Sequence, residues 1–419
     1  MNPQTEKARQ IALDILQPTP AQLEHGLELH RDALVVESYG FSPRAAIDAE
    51  ALNDLAEDGA WDREWSEASE EMGLIRMVED ADLRREYADA FAYAGVDCIL
   101  QNAGEEGQDP LQLLKRLGNF IHLTDSLPET LQRAVKPDDI VAAKEAGKRC
   151  LYLSGNGVPL AQQWKTAEEE LRFVRVFFQL GVRMMHLTYN RRNMLGDGCA
   201  EKGDAGLSDL GRQAIAEMNR VGVLVDVAHS GWRTCIEASQ ASDRPIVASH
   251  SAVHALSGHV RGKTDEVMRA IVDPGGTVGV CCIPAFLGGS GDINAFLDHI
   301  DYIAKKFGSD AVTIGTDRAY VPPQAAEQRR RLKSPSKKRT RFEALWPPGD
   351  PLFDPAWKDE RMQQSLAWTN WPLFTVGLVQ RGYSDEDIRK ILGGNILRVA
   401  RRALQGTPLE GPTTPATNP

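Results

Sequence analysis

The sequence contains no long hydrophobic run. No stretch approaches the roughly 18 consecutive apolar residues of a membrane-spanning helix, although 42% of all residues are hydrophobic. Residues 1–17 are polar and charged, and they lack the apolar centre of a secretion signal. These absences argue against a membrane-spanning or secreted protein, so we expect a cytoplasmic location.

Basic residues are fewer than acidic ones. Lysine and arginine number 48 against 59 aspartate and glutamate residues, which gives a formal net charge of −11. General binding to nucleic acid or to an anionic membrane needs a basic field, so we expect neither partner. A basic run at 329–341 is the exception. We interpret it as a solvated loop, with a clamp for an acidic substrate or partner as the alternative.

Paired cysteines are missing as well. The six cysteines are scattered, none forms a C-x-x-C pair, and Cys281 and Cys282 are adjacent. Several lie in apolar, strand-like runs, where reduced thiols are more usual than disulfides. We therefore predict buried, free thiols.

The sequence does contain a regular alternation of two kinds of segment. Short runs rich in β-branched residues alternate with longer segments of amphipathic, helical pattern. This alternation is typical of parallel strands joined by helical crossovers. Eight such units predict an α/β fold, a (β/α)8 TIM barrel, with a doubly wound sheet as the alternative. The predicted strands are 33–38, 97–100, 149–153, 182–188, 223–228, 245–249, 277–282 and 311–315.

One domain can account for nearly the whole chain, because a single barrel can exceed about 400 residues when it carries insertions. We assign residues 1–405 to this barrel, with 1–30 as an N-terminal helical extension. Residues 318–367 are Pro-rich and charged, and we interpret them as a long inserted loop after strand 8. Residues 406–419 have the composition of a flexible tail.

Side chains that can bind a metal or take part in catalysis follow several predicted strands. His229 and His250 end strands five and six, and Asp317 ends strand eight. In a barrel the carboxyl ends of the strands meet at one face, so these three side chains should converge. Neutral imidazoles from neighbouring strands can share Zn²⁺, Fe²⁺ or Mn²⁺. Singly, each residue is more easily explained as an ordinary hydrogen-bonded group, but their joint placement favours a site.

Several segments resemble one known family, in order along the chain. The paired histidines lie in VLVDVAH (223–229) and IVASHS (246–251). They are preceded by LGVR (180–183), LTYN (187–190) and GLSDLG (206–211), and followed by IGTD (314–317) and ILGGNILRV (391–399). As an ordered set these segments resemble the renal (membrane) dipeptidase family, peptidase family M19.

The resemblance implies a metal-dependent hydrolase on an amidohydrolase-like barrel, usually with two zinc ions, that cleaves dipeptides. By position, His229 and His250 match the histidines of one metal. Arg261 matches the arginine that holds the substrate carboxylate, a task that suits a guanidinium because it can form two parallel hydrogen bonds. Asp317 matches the aspartate that manages the catalytic proton.

This sequence departs from the family pattern at three places. The His-x-Asp that ligates the other metal is replaced by Tyr39-Gly40-Phe41. Asn156 stands where the bridging glutamate is expected, and Tyr189 stands where a histidine assists the tetrahedral intermediate. Phenylalanine cannot ligate, and a neutral tyrosine is a poor zinc ligand at its usual pKa of about 10. The resemblance is therefore to a divergent member with altered metal ligands.

The remaining charge limits how many metal ions can bind. Asp317 is the one carboxylate retained at its family position, and Glu37 is the other candidate. Two adjacent dications would repel each other with too little compensation. We predict at most one tightly bound divalent ion, zinc by analogy, at His229 and His250, completed by water, Asn156 or Asp317. A metal-free pocket is the alternative.

Three functions are compatible with these residues. The first is a hydrolase of dipeptides or small amides, with Asp317 accepting a proton, Tyr189 supporting the oxyanion, and Tyr39, Asn156 and Arg261 contacting a substrate that carries a carboxylate. The second is proton transfer, isomerisation or lyase chemistry on an amino-acid-derived molecule. The third is a catalytically inactive homologue. Family analogy also suggests a homodimer.

Three further histidines have simpler interpretations. His186 falls within the fourth predicted strand, and His254 and His259 follow the sixth. A histidine within a strand or loop is more often a hydrogen-bonded structural residue than a ligand. We therefore predict structural or exposed positions for these three.

Overall fold

The computed structural model describes residues 1–104, 108–163, 165–333 and 341–407. Ten parallel β-strands form its sheet. Eight of them run in the order β1-β2-β4-β5-β6-β7-β9-β10, while β3 pairs with β4 and β8 pairs with β7. The strands are β1 Val36–Gly40, β2 Cys98–Asn102, β3 Leu131–Ala134, β4 Arg149–Gly155, β5 Met184–His186, β6 Leu224–Asp226, β7 Val247–Val253, β8 Gly262–Lys263, β9 Thr277–Val280 and β10 Val312–Ile314.

The eight-strand path curls into a nearly closed barrel. At its ends, β10 lies against β1, and the Asp317 backbone N–H points to the Tyr39 carbonyl at 3.4 Å. Each of the eight predicted strands is present, with bounds shifted by a few residues. The predicted (β/α)8 barrel is thus confirmed, and the doubly wound alternative is wrong.

Helices surround the barrel and occupy the connections. Their first turns carry the expected caps, such as Asn2 before α1 and Thr19 before α2. The helices are α1 Pro3–Leu16, α2 Pro20–Asp32, α3 Ala49–Glu57, α4 Asp62–Glu79, α5 Ala81–Ala94, α6 Pro110–Ser126, α7 Pro137–Glu145, α8 Ala167–Gln179, α9 Asp209–Val221, α10 Trp232–Ala241, α11 His254–Ser257, α12 Asp265–Val272, α13 Pro284–Leu287, α14 Ile293–Phe307, α15 Gln324–Arg331, α16 Arg341–Ala344, α17 Glu360–Ser365, α18 Trp371–Gln380, α19 Asp385–Arg389 and α20 Asn395–Leu404.

Inward-facing side chains change from apolar to polar along the strands. Because successive side chains of a strand point to opposite faces, every second residue faces the barrel interior. Near the amino ends these residues are apolar and pack against α20. They include Cys98, Tyr152, Met184, Leu224 and Val247. Near the carboxyl ends they are buried but polar, and they include Ser38, Ser154, His186, Asp226 and Ser249. The polar layer lies directly beneath the face that carries function in such barrels.

The segment after β10 has more structure than the loop predicted from its composition. It contains α15, α16 and α17 and the short 3₁₀ turns Pro351–Phe353 and Pro355–Lys358. Of the basic run, residues 329–333 and 341 are described, and its centre lies outside the described residues, as does the predicted tail beyond residue 407. This segment covers one side of the barrel mouth with Trp346 and Leu352.

Two composition-based expectations can be compared with the structure. All six cysteines are buried with free thiols, as predicted. Within the described ranges, no helix is both long enough and apolar enough to cross a membrane.

Candidate active site and metal centre

A cavity of about 440 Å³ opens at the carboxyl ends of the strands. It brings together side chains that lie far apart in sequence, as expected where parallel strands end at one face. Five of the residues predicted to form the site line this cavity or its floor. They are Tyr39, Asn156, Tyr189, His229 and Asp317.

The two predicted metal ligands face each other directly. His229 Nε2 lies 2.9 Å from His250 Nε2. The opposite nitrogens have their own partners, because His229 Nδ1 lies 2.7 Å from Asn190 Oδ1 and His250 Nδ1 lies 2.8 Å from Ser249 Oγ. Both rings are buried.

These partners determine which nitrogen of each ring carries the hydrogen. The Asn190 amide oxygen can only accept, so His229 donates from Nδ1. Ser249 gives its hydroxyl hydrogen to the carboxylate of Asp226, so it accepts from His250 Nδ1. Each Nε2 is then left with a lone pair directed at the other, and Arg261 Nη2 lies 3.5 Å from His229 Nε2. Two converging lone pairs are unfavourable unless a cation lies between them, so this donor set fits one metal ion.

The surroundings keep both imidazoles neutral, as metal ligation requires. Burial, and next the positive charge of Arg261, lowers the pKa of His229 well below its usual value. The same two causes, in the same order, lower the pKa of His250. A neutral imidazole is the form that binds a metal.

His186 was predicted to be structural, but it lies beside the histidine pair. Among the described residues, His186, His229 and His250 form a group whose ligand atoms all lie within 4.8 Å of one another. His186 Nδ1 lies 3.0 Å from the Gly155 carbonyl, and its Nε2 lies 2.9 Å from Asp226 Oδ2. The carbonyl accepts from Nδ1, while Nε2 forms no hydrogen bond within the described part of the chain. Nε2 could join a metal only by giving up its contact with Asp226.

Asp226 connects this part of the site, and sequence reasoning missed it. Burial opposes its ionisation, but His186, Ser249 and neighbouring backbone N–H groups together hold the pKa of Asp226 below its usual value. Its Oδ1 accepts from the backbone of Ala228 at 2.9 Å and of Ser249 at 3.1 Å. An aspartate inside an apolar strand was the available signal, since a buried charge requires partners.

Tyrosine rings cover both histidines. Tyr39 stacks on His250 with ring centroids 3.7 Å apart, and Tyr189 stacks on His229 at 4.1 Å. The Tyr39 hydroxyl donates to Asn156 Oδ1 at 2.7 Å. The residues that replace the family's other metal ligands therefore bind each other, and Phe41 beside them offers no ligand atom. This wall does not fit a second metal ion.

Asp317 reaches the cavity from an unusual backbone conformation. Its φ is +57°, and the φ of Asn190 is +56°. Few residues other than glycine adopt such values, and those that do are concentrated at functional sites. Burial raises the pKa of Asp317 to about 6, against the opposing charges of Arg261, Arg318 and His186. A carboxyl group with that pKa can exchange a proton near neutral pH.

Arg261, predicted to hold the substrate carboxylate, lies behind the histidines. It is fully buried and does not line the cavity. Its Nη1 donates to the Ala228 carbonyl, and its Nη2 donates to the His250 carbonyl at 2.9 Å. Its Nε has no partner within the described part of the chain. In this arrangement Arg261 holds the ends of β6 and β7, and with them the two imidazoles, in position.

Glu37, considered as extra negative charge for a metal, does not reach the site. Its carboxylate accepts from the backbone and hydroxyl of Thr316 and from Trp368 Nε1. The charge of a metal ion at the histidine pair would therefore have to be balanced without Glu37.

Comparisons with known proteins agree with this geometry. Residues 63–332 match the sequence profile of the membrane dipeptidase family. The dipeptidase tcpJ of Claviceps purpurea is 26% identical over 278 residues, which cover 65% of this chain and 55% of that protein. An uncharacterised dipeptidase of Schizosaccharomyces pombe is 31% identical over 194 residues, or 44% and 45% of the two chains. The chain thus spans about half the length of these two relatives.

A solved structure shows the same fold. An amidohydrolase from Pseudomonas aeruginosa superposes with a TM-score of 0.65 and 25% sequence identity, over 90% of this chain and 98% of that one. The family profile covers more than half of this chain, and the barrel and the histidine cluster accord with a metal-dependent peptidase. The chain belongs to the membrane dipeptidase family, peptidase family M19.

Proposed function

We propose that this protein hydrolyses dipeptides or small amides with one tightly bound divalent ion, zinc by family analogy. The observation that carries the proposal is the pair of Nε2 atoms 2.9 Å apart, both with lone pairs facing inward. Tyr39 and Phe41, which replace ligands of the family's other metal, offer no suitable ligand atom, and this supports one ion rather than two. His229 and His250 would hold the ion, with His186 close enough to join them.

When bound, such an ion supplies Lewis acidity and makes water easier to deprotonate near neutral pH. The chain's own side chains accept the proton and stabilise the developing negative charge. Asp317 accepts the proton of the attacking water at its carboxylate, because its raised pKa suits a base that must also release the proton. Tyr189 donates a hydrogen bond from its hydroxyl to the developing oxyanion.

Other residues position the substrate. Tyr39 fixes Asn156 through its hydroxyl, which leaves the Asn156 amide nitrogen to contact a substrate carbonyl. Aromatic side chains at the cavity wall restrict the entry of water. They are Phe286 of α13, which precedes β10, and Phe342 and Trp346 of the segment after β10.

Metal content and turnover test the proposal together. We expect elemental analysis of the purified protein to find one transition metal per chain, and a panel of dipeptides to be cleaved. His250→Ala should lose both the metal and the activity. The matched control is His122→Ala on the exposed face of α6, which should retain both. Two ions per chain, or turnover that persists in His250→Ala, would contradict the proposal.

One observation favours a second candidate, proton transfer on an amino-acid-derived molecule without a metal. Tyr39 and Tyr189 cover the faces of both imidazoles, and His229 lines the cavity. In this arrangement Asp317, whose pKa is raised to about 6, would accept the α-proton beside His229. A metal-free protein that exchanges the α-proton of an amino acid derivative, followed by NMR in D₂O, would favour this candidate. The cytoplasmic location and the homodimer stay predictions from composition and family analogy.

A further inference from the structure

A second group of charged side chains lines the same cavity. Arg44, Glu70 and Arg116 all contribute to its wall. Arg116 donates to Glu70 Oε2 from Nε at 3.0 Å and from Nη2 at 2.9 Å, and its Nη1 donates to the Gly104 carbonyl at 3.0 Å. The one carboxylate of this group is therefore engaged by Arg116, and these three side chains together carry one positive charge.

Arg44 is the source of that remaining charge. Among the described residues its guanidinium forms no hydrogen bond or ion pair, and its nearest ring contact is Phe41, with the guanidinium carbon 5.8 Å from the ring centroid. Burial lowers the pKa of Arg44, while the charge of Glu70 acts in the opposite direction. A partly desolvated guanidinium without a partner gains more from an incoming anion than one exposed to bulk water.

An adjoining cavity of about 550 Å³ extends the site on the side of Arg44. The two cavities share Phe41, Arg44, Ile283, Asp317 and Leu352. Their common wall therefore holds both the proposed catalytic carboxylate and the unpaired guanidinium.

The adjoining cavity is strongly basic. Its other charged lining residues are Arg318, Arg329 and Lys358. Arg318 donates from Nε to the Cys282 carbonyl at 2.9 Å, and its Nη2 has no partner within the described ranges. Together with Arg44, these are four positively charged side chains, and Asp317 is the one carboxylate among the described lining residues. This excess of positive charge favours a negatively charged ligand group in the cavity.

The arginine expected to bind a carboxylate faces neither cavity in this arrangement. Arg261 lines neither cavity, and its Nη1 and Nη2 are used by the Ala228 and His250 carbonyls. A dipeptide-like substrate nevertheless carries a carboxylate, and burying a carboxylate without a charged partner is costly.

We propose that Arg44 binds a carboxylate of the substrate, which then extends from His229 across Asp317 towards the basic cavity. The ligand class is a peptide-like small molecule with at least one free carboxylate, from its C-terminus or from an acidic side chain. The inference rests on the proposed function for the peptide-like nature of the ligand, and it assigns to Arg44 the anchoring task predicted for Arg261.

Binding of uncleavable dipeptide analogues to the metal-loaded protein tests this assignment. Calorimetry would compare reduced-amide analogues, with CH₂–NH in place of the peptide bond, of Gly-Gln, Gly-Glu and the C-terminal amides of both. We expect Arg44→Gln to weaken binding of the carboxylate-bearing analogues by about ten- to hundredfold, the usual worth of a charge-assisted pair. Arg44→Lys should fall in between, because an ammonium keeps the charge but not the paired hydrogen bonds.

The arms of the experiment separate the two sources of the carboxylate. If the C-terminal carboxylate is bound, amidation of either analogue should weaken binding to the wild type and remove its dependence on Arg44. If the side chain is bound, the amide of the Gly-Glu analogue should keep that dependence. Arg172→Gln, on the exposed face of α8, is the matched control and should bind like the wild type.

The outcomes also separate this inference from the proposed function. Equal affinity of wild type and both Arg44 variants, or no binding of any analogue to the wild type, would overturn the inference. Dipeptide hydrolysis that is indifferent to Arg44 would overturn the inference and leave the hydrolase function standing. Carboxylate binding that depends on Arg44, without hydrolysis of any dipeptide, would support the inference and overturn the hydrolase function.

Discussion

At the scale of single residues, Glu37 shows how a buried charge can serve the fold rather than the chemistry. Its side chain is fully buried, and it joins β1 to Thr316 after β10 and to Trp368 beyond the inserted segment. Burial raises the pKa of Glu37 to about 8, although its hydrogen-bond donors favour the ionised form. The group therefore affects stability in a pH-dependent way.

Glu37→Gln should lower the free energy of unfolding by about 1–3 kcal/mol at pH 5, because Trp368 Nε1 would face an amide N–H group or lose its acceptor. In the wild type the folded pKa lies above the ordinary value of 4.5, so folding disfavours ionisation. The stability of the wild type then declines relative to the variant as pH rises from about 4.5 to about 8. Urea unfolding at pH 5 and pH 8.5 measures both effects, and a difference that widens with pH would contradict this account.

Asp317 should control the acidic limb of the dependence of kcat/KM on pH. If it accepts a proton from water, kcat/KM should fall as pH drops through about 6, where the carboxylate becomes protonated. Asp317→Asn should remove that limb and reduce kcat/KM by about 10²–10⁴-fold. Tyr189→Phe is the comparison, since it should lower kcat but keep the limb. A limb near pH 6 that survives in Asp317→Asn would assign it to another group.

At the scale of elements, α9 is one whose ends could be read from the sequence. Ser208 accepts from the Gly211 backbone at 3.0 Å and donates to the Met194 carbonyl at 2.6 Å. Gly222 ends the helix with a φ of +96°, as expected of a glycine at this position. These caps act within a few residues of the chain, which is why local sequence suffices to predict them.

Ser208→Ala should therefore lower the free energy of unfolding by about 1 kcal/mol, through the loss of the cap and of the bond to Met194. Ser208→Thr keeps the hydroxyl and should cost much less. Thermal or denaturant unfolding of the two variants would measure this difference. Equal losses in both variants would show that the hydroxyl is not responsible.

Other elements were less accessible to sequence reasoning. Strands β3 and β8 are short, and they pair with the first residues of β4 and the last residues of β7, which extend past the neighbouring barrel strands β5 and β6. Helices α15 to α17 lie in a Pro-rich, charged segment, and the pattern there indicates a loop. In both cases the structure depends on a partner elsewhere in the chain, and periodicity carries no information about that partner.

At the scale of the whole molecule, metal binding should couple to folding. A ligand that binds only the folded state stabilises it by about 2.7 kcal/mol at a concentration 100-fold above its Kd. Zinc added to protein stripped with a chelator should therefore raise Tm, with one ion bound per chain. His229→Ala and His250→Ala should abolish the shift, while His122→Ala should retain it. A Tm that responds equally in His229→Ala would place the ion elsewhere.

The order of strands and helices determined the barrel, and strand ends alone brought His229, His250 and Asp317 to one face. Those inferences hold because parallel strands with helical crossovers allow few arrangements, all with their carboxyl ends together. Tertiary structure alone decided which groups face the cavity. It turned Arg261 inward to backbone carbonyls, paired His186 with Asp226, and stacked Tyr39 on His250. Within the described ranges it left the Arg44 guanidinium beside Phe41 with no hydrogen bond or ion pair. Contacts of this kind join residues far apart in the chain, and they depend on side-chain packing that no local pattern encodes.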